Sequence, residues 1–429
     1  NFNESNAILH KIRGIYSNLS KIKQTVILTE ELLINDLTRS LPAETLLHAI
    51  DNFPSNVEYP LGRMAEISLD NVLFHQLTSG STGIPKCIQE THGGVIAHIT
   101  LSAKVCGYKE NDVSLNWLPF DHVVPMLTTH LRDVYLGLWQ VQVPTHEVIS
   151  SPLLWLDLIE KHNVNFSWSP NFGFNMAARA AVSEGRALSW DLRSLKLLLN
   201  AGEQVTSSVC DAFIEATGIS AIVMQPSFGM AEACTCMTYC DDYGGSDSHS
   251  VFIVDGSKTT GELRNLQGKD KTAEREKCSN LVQFVDLGPC MDGVEIRITD
   301  STLVRSLPER HIGHFQIRGP VITPGYLNNP AANAEAFVGD EWFDSGDLGF
   351  IHNKRLFLTG RAKESICIRG ANLFCYEIES IVERASGVMP TFVAVTSVPN
   401  TESGTEDLLI FYSPQQSELY PKTDDGHFL

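Results

Sequence analysis

The chain has 429 residues, of which 43% are hydrophobic, and its 32 basic and 51 acidic side chains give a formal net charge of −19. This length suffices for two or three domains. The acidic balance excludes binding to nucleic acid or to an anionic membrane through bulk charge attraction. No apolar run reaches the roughly 18 residues that a transmembrane helix needs.

The first elements predicted from hydrophobic periodicity are a helix, a strand and a helix, in "NAILHKIRGIYSNL", "QTVILT" and "EELLINDLTRSL". A further strand, "NVLFHQLTSG", leads into a glycine-containing loop, and "GGVIAHITLSAKVCG" after it has the pattern of a helix. The predicted order is therefore strand, loop and helix. In that order, backbone N–H groups and a helix N-terminus can face a phosphate.

Strands and helices then alternate up to residue 229. The predicted strands are "DVSLNWLP", "WQVQVP", "VNFSWSP", "LKLLLNAG" and "SAIVMQPSFG", separated by segments with helical periodicity. This alternation predicts parallel sheets covered by helices. Active sites in such sheets lie at the carboxyl ends of the strands, where the loops "LPFDHVVPM", "SPNFGF", "NAGEQ" and "QPSFGMAEA" are found.

The pattern changes after residue 240. A polar, glycine-rich stretch is followed by the β-rich segments "QFVDLG", "GVEIRITD" and "GHFQIRGP". Near residue 361 a small α/β unit begins with "SICIRGANLFCYEIESIVERASG". The sequence thus predicts a helix-covered sheet region, then a β-rich region, then a small mixed unit.

The cysteines number ten and include no CxxC pair, which favours a reduced, cytoplasmic protein over a disulfide framework. Cys234, Cys236 and Cys240 form the one close group in the sequence. A zinc site would need tighter ligand pairing and a fourth ligand. We therefore expect these three to be small buried side chains.

The loop "LTSGSTGIPK", residues 77–86, combines Ser and Thr hydroxyls with two glycines and a lysine. Its glycines allow close backbone approach to a ligand, and its hydroxyls and Lys86 supply donors for phosphate oxygens. It does not match the P-loop pattern GxxxxGK[ST], because no hydroxyl residue follows the lysine. A polar β-turn is the alternative interpretation.

Together with "NAGEQ", "SFGMAEA", "WFDSGDLG" and "LTGRAKESICIRGANLFCYEIE", this loop resembles the adenylate-forming superfamily. That superfamily contains acyl-CoA synthetases, fatty-acyl-AMP ligases and the adenylation domains of nonribosomal peptide synthetases. The resemblance covers residues 20–412, with the motifs in the family's order. It implies that the loop grips the β- and γ-phosphates of ATP through Thr78, Ser79, Gly80, Ser81, Thr82, Gly83 and Lys86.

The resemblance also implies the other ATP contacts and the catalytic groups. The implied roles are the adenine side for Phe228, Gly229, Gly202 and Glu203, the ribose for Asp347 and Arg361, Mg²⁺ for Glu232, the hinge for Lys363, and catalysis for Lys86, Glu232 and Arg361.

Each of these residues also has an ordinary structural interpretation. Glu232 could cap a helix, although a carboxylate near ATP suits Mg²⁺, which prefers hard oxygen ligands. Asp347 could close a turn, although an ionised Asp can also accept two ribose hydroxyl hydrogens. Phe228 could be core, and Arg361 with Lys363 could belong to a solvated linker.

The segment "NWLPFDHVVPMLTTHLRDVYLG" bears on the choice of acid. Family members that activate amino acids have an Asp that pairs with the substrate ammonium, and Phe120–Asp121 matches that motif superficially. Alignment to the histidine block of fatty-acyl-AMP ligases instead places His122 at an aromatic gate and Val123 where that Asp would stand. Because valine cannot pair with an ammonium and an unpaired buried charge is costly, we predict an acid without a free α-amine.

By the same offsets the acid pocket is predicted to be small and mostly apolar, which suits an uncharged substrate side chain. Its predicted residues are His122, Val123, Phe172, Leu199, Ala201, Ser227, Thr235 and Cys236. Any of them could instead be ordinary core.

The resemblance implies an α/β fold with a large N-terminal core of helix-covered, mostly parallel sheets and a β-rich subdomain. We expect this core over residues 1–362, followed by a small, hinged α+β C-terminal subdomain over residues 363–429. Relative to the family, the core lacks roughly its first hundred residues and the subdomain lacks its C-terminal lysine, so both are expected to be incomplete.

The expected function is ATP-dependent adenylation of an aryl, alkyl, hydroxy or keto acid, followed by transfer to the phosphopantetheine thiol of a carrier protein within a synthase. The expected cofactors are ATP and Mg²⁺, and the expected partners are a small carboxylic acid, a carrier-protein domain and neighbouring synthase domains. The alternatives are a stand-alone acyl-AMP or acyl-CoA ligase, an amino-acid-activating domain and a non-catalytic scaffold.

Overall fold

The computed structural model describes residues 15, 26–52, 66–78, 85–246, 248–256, 258–259, 261–268, 271–278, 281–362, 365–368, 371–383, 385, 387–400 and 405–414. They fall into two compact units, one of residues 1–96 with 323–335 and one of residues 97–322 with 336–429. The mixed α/β class predicted from the sequence is confirmed. The predicted boundary at residue 362 stays a prediction, and the predicted first helix lies almost wholly outside the described residues.

The first unit contains two small sheets. Strands β1 (Val26–Thr29) and β2 (Leu46–Ala49) pair in parallel, and β3 (Val72–Leu77) and β4 (Cys87–Thr91) pair antiparallel. The glycine loop therefore joins two paired strands, and the prediction that a helix follows it directly was wrong. The reason is that β4, whose Cys87 and Ile88 are buried, completes a hairpin with β3 before the helix begins.

The second unit is built on a six-stranded sheet. Its strands are β5 (Val113–Asn116), β6 (Trp139–Gln142), β7 (Phe166–Ser169), β8 (Leu197–Asn200), β9 (Met224–Gly229) and β10 (Cys236–Tyr239). They lie in the order β10-β9-β8-β7-β5-β6. All neighbouring pairs are parallel except β9 with β10. Every residue of β7 and of β8 is buried, as expected for central strands covered on both faces.

The helices largely follow the predicted periodicity, with one irregularity. A π-helical turn, Pro125–Leu131, leads into the helix Arg132–Leu136, which ends at Gly137 in the left-handed conformation. Among the described helices, none has the length and apolar character needed to cross a membrane. The other helices are Glu31–Ser40, His92–Cys106, Thr145–Ser150, Leu154–His162, Asn171–Ser183, Ser207–Thr217, Thr272–Arg275, Pro330–Ala336 and Cys375–Val382.

Aromatic side chains pack between helices of the second unit. The ring of Phe174 lies 5.3 Å from Trp155 and 5.0 Å from Phe213, measured between centroids. All three residues are buried. Burying an aromatic side chain contributes about 1.5–3 kcal/mol relative to exposing it, so these contacts hold the three helices that carry the rings together.

The β-rich region predicted from the sequence is present, and its strands pair antiparallel. Strands β13 to β17 form one sheet, and Phe252, Phe284, Phe350 and Phe357 pack in a core beside it. The strands are β11 (Val251–Asp255), β12 (Leu281–Val285), β13 (Glu295–Thr299), β14 (Gly313–Arg318), β15 (Phe337–Val338), β16 (Trp342–His352), β17 (Arg355–Arg361), β18 (Ser365–Ile368), β19 (Ala371–Phe374), β20 (Val388–Asn400) and β21 (Thr405–Pro414).

Candidate active site

Four of the predicted site loops follow neighbouring strands of one sheet. They leave the carboxyl ends of β5, β7, β8 and β9, which lie side by side in parallel. Carboxyl ends of parallel strands meet at one edge of a sheet, where open α/β folds bind ligands. The structure therefore places the loops that carry His122, Phe172, Glu203 and Glu232 along a common edge.

The loop after β5 holds Val123 and His122 in different surroundings. Val123 is 4% exposed, whereas Asp121 beside it is exposed. The His122 ring stacks on Trp168 of β7 with centroids 6.4 Å apart, and its Nδ1 accepts a hydrogen bond from the Val124 N–H. The side chain at the predicted amine position is thus a buried hydrocarbon.

Asn116, buried at the end of β5, fixes this loop. Its side-chain amide donates to the carbonyl of Leu118 and to Gln142 Oε1, and its Oδ1 accepts from the Trp168 indole N–H. One side chain therefore joins the loop to the ring on which His122 stacks. Burial lowers the pKa of His122, and the Asp121 carboxylate partly opposes that shift.

Two of the other predicted pocket residues, Thr235 and Cys236, contact a buried histidine. His98 Nε2 lies 2.8 Å from both Thr235 Oγ1 and the Cys236 carbonyl. Burial lowers the pKa of His98 to about 4, so the ring is neutral near pH 7. The predicted pocket residues buried in the structure are Val123, Leu199, Ala201, Ser227, Thr235 and Cys236.

Glu203 contacts the neighbouring loop rather than projecting alone into solvent. Its carboxylate accepts the backbone N–H of Phe172 in the first turn of the helix Asn171–Ser183, a position where a carboxylate stabilises a helix. Desolvation raises the pKa of Glu203, and this N–H partly opposes the shift. Gly202 before it has a φ of +94°, which favours glycine.

Phe228 and Gly229 end strand β9 against β10. The Phe228 N–H donates to Thr238 Oγ1, and the ring packs edge-on against Phe315 at 5.4 Å. A Cβ on Gly229 would lie 2.4 Å from the backbone of Cys236, so only glycine permits this approach of the strands. Phe228 is half-buried, which leaves part of its ring accessible to a base.

Glu232 lies in the short turn Ala231–Ala233 after β9 and is half-buried. Its carboxylate oxygens are of the type that Mg²⁺ prefers. Glu232 already takes part in an interaction within the fold. The chemistry of the group fits the predicted metal role. Among the described residues, no group of three His, Cys, Asp or Glu side chains is placed to hold a metal ion.

Asp347 and Arg361, the predicted ribose residues, face each other across two strands. They are register partners in β16 and β17, and Arg361 Nε lies 3.5 Å from Asp347 Oδ1. The Asp347 side chain is 11% exposed and that of Arg361 is 62% exposed. The pair thus joins a sheltered acceptor to a cation that solvent and ligand can reach.

The predicted phosphate loop has its two ends, Thr78 and Lys86, joined by hydrogen bonds. The Thr78 N–H donates to the Lys86 carbonyl, the Lys86 N–H donates to Thr78 Oγ1, and the Lys86 ammonium lies 4.7 Å from the centre of the Tyr326 ring. The described part fits a phosphate cradle, because it holds a hydroxyl and a cation at the two ends of one loop. The predicted site residues that lie outside the described residues are Ser79, Gly80, Ser81, Thr82, Gly83 and Lys363, the predicted hinge.

The close cysteine group is buried, as expected. Cys234, Cys236 and Cys240 are each at most 1% exposed. Burial raises the pKa of Cys236 to about 12 and also raises that of Cys240, so both thiols are protonated near neutral pH.

Sequence reasoning missed Trp168, Asn116 and His98. Both Trp168 and Asn116 lie inside predicted strands, whereas in the structure Asn116 is the last residue of β5 and Trp168 the last but one of β7. Placing the strand ends correctly could have found them. No sequence signal marks His98, because its neighbours Thr235 and Cys236 are distant in the chain.

Comparisons with known proteins agree with this arrangement. The sequence profile of the AMP-binding enzyme family matches residues 5–327. The nonribosomal peptide synthetase apvA of Aspergillus terreus is 34% identical over 360 residues, which are 82% of this chain and 36% of that protein. The chain therefore spans about a third of the length of this curated relative.

Two solved structures resemble the chain throughout. The adenylation domain of a keto acid-selecting NRPS module bound to keto acyl adenylate is 30% identical, with a TM-score of 0.75 over 96% of this chain and 72% of that one. The McyG A-PCP complex with phenylalanyl-adenylate is 30% identical, with a TM-score of 0.78 over 95% of this chain and 60% of that one. The chain therefore belongs to the AMP-binding enzyme family, within the adenylate-forming superfamily of AMP-forming ligases.

Proposed function

We propose that this chain adenylates a carboxylic acid that lacks a free α-amine, such as an aryl, alkyl, hydroxy or keto acid. The observation that carries the proposal is the buried hydrocarbon of Val123 at the predicted amine position, 4% exposed. The keto acyl adenylate bound by one structural relative supports it. An α-ammonium placed beside Val123 would lose its hydration without gaining a carboxylate partner, which is costly.

The reaction joins two anions, so the protein's contribution is positioning and charge stabilisation. An acid oxygen attacks the α-phosphorus of ATP, the bond from that phosphorus to the bridging oxygen breaks, and pyrophosphate leaves. Lys86 and the loop from Thr78 would hold the β- and γ-phosphates. Asp347 and Arg361 would hold the ribose, with the adenine between Phe228 and the backbone at Gly202. We assign the catalytic roles to Lys86, Glu232 and Arg361.

Mg²⁺, when bound, would reduce the negative charge of the phosphates, and Glu232 would hold it. His122, stacked on Trp168, would border the acid. The buried side chains of Leu199 and Ala201 would contact its apolar part. His122 with its lowered pKa is the neutral form near pH 7, so it would add no charge beside the reacting carboxylate.

We extend the proposal to transfer of the acyl group onto the phosphopantetheine thiol of a carrier protein, in the loading role of a synthase in the cytoplasm. The nonribosomal peptide synthetase relative and the A-PCP relative support this step. Residues 1–362 would belong to the adenylation core and residues 363–429 to a small subdomain hinged at Lys363. A stand-alone acyl-AMP or acyl-CoA ligase differs in its acceptor, which is CoA or another free thiol.

Amino-acid activation is the second candidate, because one structural relative carries phenylalanyl-adenylate. In that case Asp121 would have to reach the ammonium. Asp121 is exposed, whereas Val123 is buried, and this difference favours the first candidate.

Acid-dependent ATP–pyrophosphate exchange tests the proposal. The substrates are keto, hydroxy and amino acids that share one side chain, so that only the α-substituent changes. We expect exchange with the keto or hydroxy acid and little with the amino acid. Exchange with the amino acid alone would overturn the proposal in favour of Asp121, and ATP binding without exchange for any acid would favour a scaffold role.

Glu232→Gln is the matching catalytic variant. We expect it to lower exchange by roughly 100- to 1,000-fold, as loss of a charge-stabilising group does. Glu215→Gln, on the exposed face of the helix Ser207–Thr217, is the control and should leave exchange unchanged. Equal rates for the two variants would remove Glu232 from the mechanism.

A further inference from the structure

Glu232 lies in a tight loop that joins two paired strands. The chain leaves β9 at Gly229 and enters β10 at Cys236, and these two residues are register partners. Between them, the Met230 N–H donates to the Thr235 carbonyl at 3.3 Å. The orientation of the Glu232 carboxylate therefore depends on the backbone of this short loop.

The loop contains a strained turn at Cys234. This residue has a φ of +63° and a ψ of −66°, and the Thr235 N–H donates to the Ala233 carbonyl at 2.8 Å. These angles and this hydrogen bond define the γ-turn of positive φ, which is rare and strained. Such strain persists only where the surrounding structure enforces it, and it concentrates at functional sites. The turn follows Glu232 by two residues, so it fixes how the chain leaves the predicted magnesium ligand.

Two contacts from outside the loop hold this turn. His98, on the helix that follows β4, has its Nε2 2.8 Å from the Cys236 carbonyl and 2.8 Å from Thr235 Oγ1. Because a carbonyl oxygen can only accept a hydrogen bond, Nε2 carries the ring proton. Cys234 contacts the Val321 carbonyl through its Sγ at 3.4 Å. His98 thus fixes the two residues that follow the strained one.

The contact made by His98 is sheltered from water. His98, Thr235 and Cys236 are each at most 1% exposed. The Cys236 carbonyl also accepts the Tyr239 hydroxyl at 3.0 Å, so the loop is held from two directions. Hydrogen bonds in such surroundings are electrostatically stronger than in water. A buried donor of this kind can offset the strain at Cys234.

We propose that His98 is a positioning residue, which holds the strained turn at Cys234 and thereby sets the orientation of the Glu232 carboxylate. This inference rests on the proposed function, because it needs Glu232 to act on the phosphates of ATP and their Mg²⁺. Without the His98 N–H, the turn relaxes and the carboxylate loses its fixed orientation. A purely structural His98 would affect folding alone.

A double-mutant cycle between His98 and Glu232 tests the inference. His98→Leu removes the N–H donor, and we expect pyrophosphate exchange per folded molecule to fall roughly 10- to 100-fold, as misplacement of a catalytic group allows. In the Glu232→Gln background, the same substitution should change exchange by at most about twofold, because the group that His98 positions is already gone. His98→Gln keeps an amide N–H donor and should retain most of the exchange activity.

Ser102→Ala is the matched control. Ser102 is buried on the same helix as His98, and its hydroxyl donates to the Ile99 carbonyl of that helix at 3.2 Å. The substitution removes a buried hydrogen bond made within the helix, so pyrophosphate exchange should stay at the native level. Urea unfolding gives the folded fraction of each variant.

Amide hydrogen exchange followed by mass spectrometry gives a readout that does not depend on catalysis. In the protein without ATP or Mg²⁺, we expect His98→Leu to raise the hydrogen-exchange rate of peptides covering residues 230–236 roughly tenfold, as loss of one hydrogen bond allows. Peptides from β7 and β8 should keep the native rate.

The strain itself is tested by two substitutions of Cys234. Cys234→Gly and Cys234→Ala both remove the thiol, but only glycine adopts the positive φ without strain. Alanine is normally the more stabilising of the two residues. Here we expect Cys234→Gly to unfold at the same or a higher urea concentration than Cys234→Ala.

The outcomes separate this inference from the proposed function. An equal effect of His98→Leu with and without Glu232→Gln, unchanged hydrogen exchange of the loop, or a lower urea midpoint for Cys234→Gly than for Cys234→Ala would overturn the inference alone. Absence of pyrophosphate exchange for every acid would overturn the proposed function and this inference together.

Discussion

Two arginine–aspartate pairs in the second unit differ in almost every physical respect. Arg132 and Asp133 are adjacent in the chain, are 6% and 0% exposed, and meet at 2.6 Å under an aromatic ring. Arg361 and Asp347 lie on neighbouring strands, meet at 3.5 Å, and leave the arginine 62% exposed. Burial holds the residues of the first pair together. In the second pair, the exposed arginine can leave the aspartate and bind a ligand at little cost.

This difference indicates how one domain can use the same two residue types for shape and for binding. A buried charge must keep its counter-ion, because leaving it alone is expensive. An exposed pair gains little from its own contact, because water and salt screen it. We therefore expect substitutions in the first pair to lower the free energy of unfolding, and substitutions in the second pair to weaken ATP binding.

The largest effect is expected for Asp133→Ala. It leaves Arg132 buried without its counter-ion, and we expect the free energy of unfolding to fall by about 3–5 kcal/mol. Urea unfolding followed by circular dichroism measures it. A loss as small as that of Asp191→Ala, which removes an exposed partner of Arg193, would mean that the buried pair is not structural.

The next largest effect on stability is expected from His98. Burial lowers its pKa, and the nearby positive charge of Arg132 lowers it further. Its pKa falls from 6.5 in the unfolded chain to about 4 in the fold, so the unfolded state binds the proton more tightly. The stability is fully present above pH 6.5 and is lost as the pH falls toward 4. Between pH 7 and 4.5 we expect a loss of about 2–3 kcal/mol from this group.

The measurement is the difference between the native chain and His98→Gln in urea unfolding at several pH values. The variant lacks the titrating ring, so its stability should fall less steeply with acid. Parallel pH curves for the two proteins would show that His98 is not buried as a neutral ring.

Arg361→Ala tests the exposed pair. We expect the KM for ATP to rise roughly tenfold, as loss of one charged hydrogen bond allows, with no change in the midpoint of urea unfolding. Arg318→Ala is the control, because Arg318 forms a similar exposed pair with Glu295 at 2.8 Å. A marked fall in stability for Arg361→Ala would contradict the comparison.

The smallest effect is expected for Arg193→Ala. Arg193 pairs with Asp191 at 2.6 Å, yet its side chain is 90% exposed, and the hydrogen bonds from Arg193 lower the pKa of Asp191 to about 2. We expect no measurable change in unfolding midpoint or exchange rate, because surface pairs of this kind contribute little. A clear loss of stability would show that short distance outweighs exposure here.

The sequence by itself determined the alternation of strands and helices and the positions of the loops at the ends of β5, β7, β8 and β9. These features follow from local apolar periodicity and turn residues, which act within a few neighbouring residues. The motif order also predicted the family, which the family match confirms. The individual site residues stay predictions.

Only the tertiary structure decided which distant residues meet. It paired β4 with β3, so that the glycine loop became a hairpin connection, and it added β10 antiparallel to β9. It also stacked His122 on Trp168 and brought His98 to Thr235. The physical reason is that such contacts depend on strand register, on burial and on the direction of each side chain, which no local pattern contains.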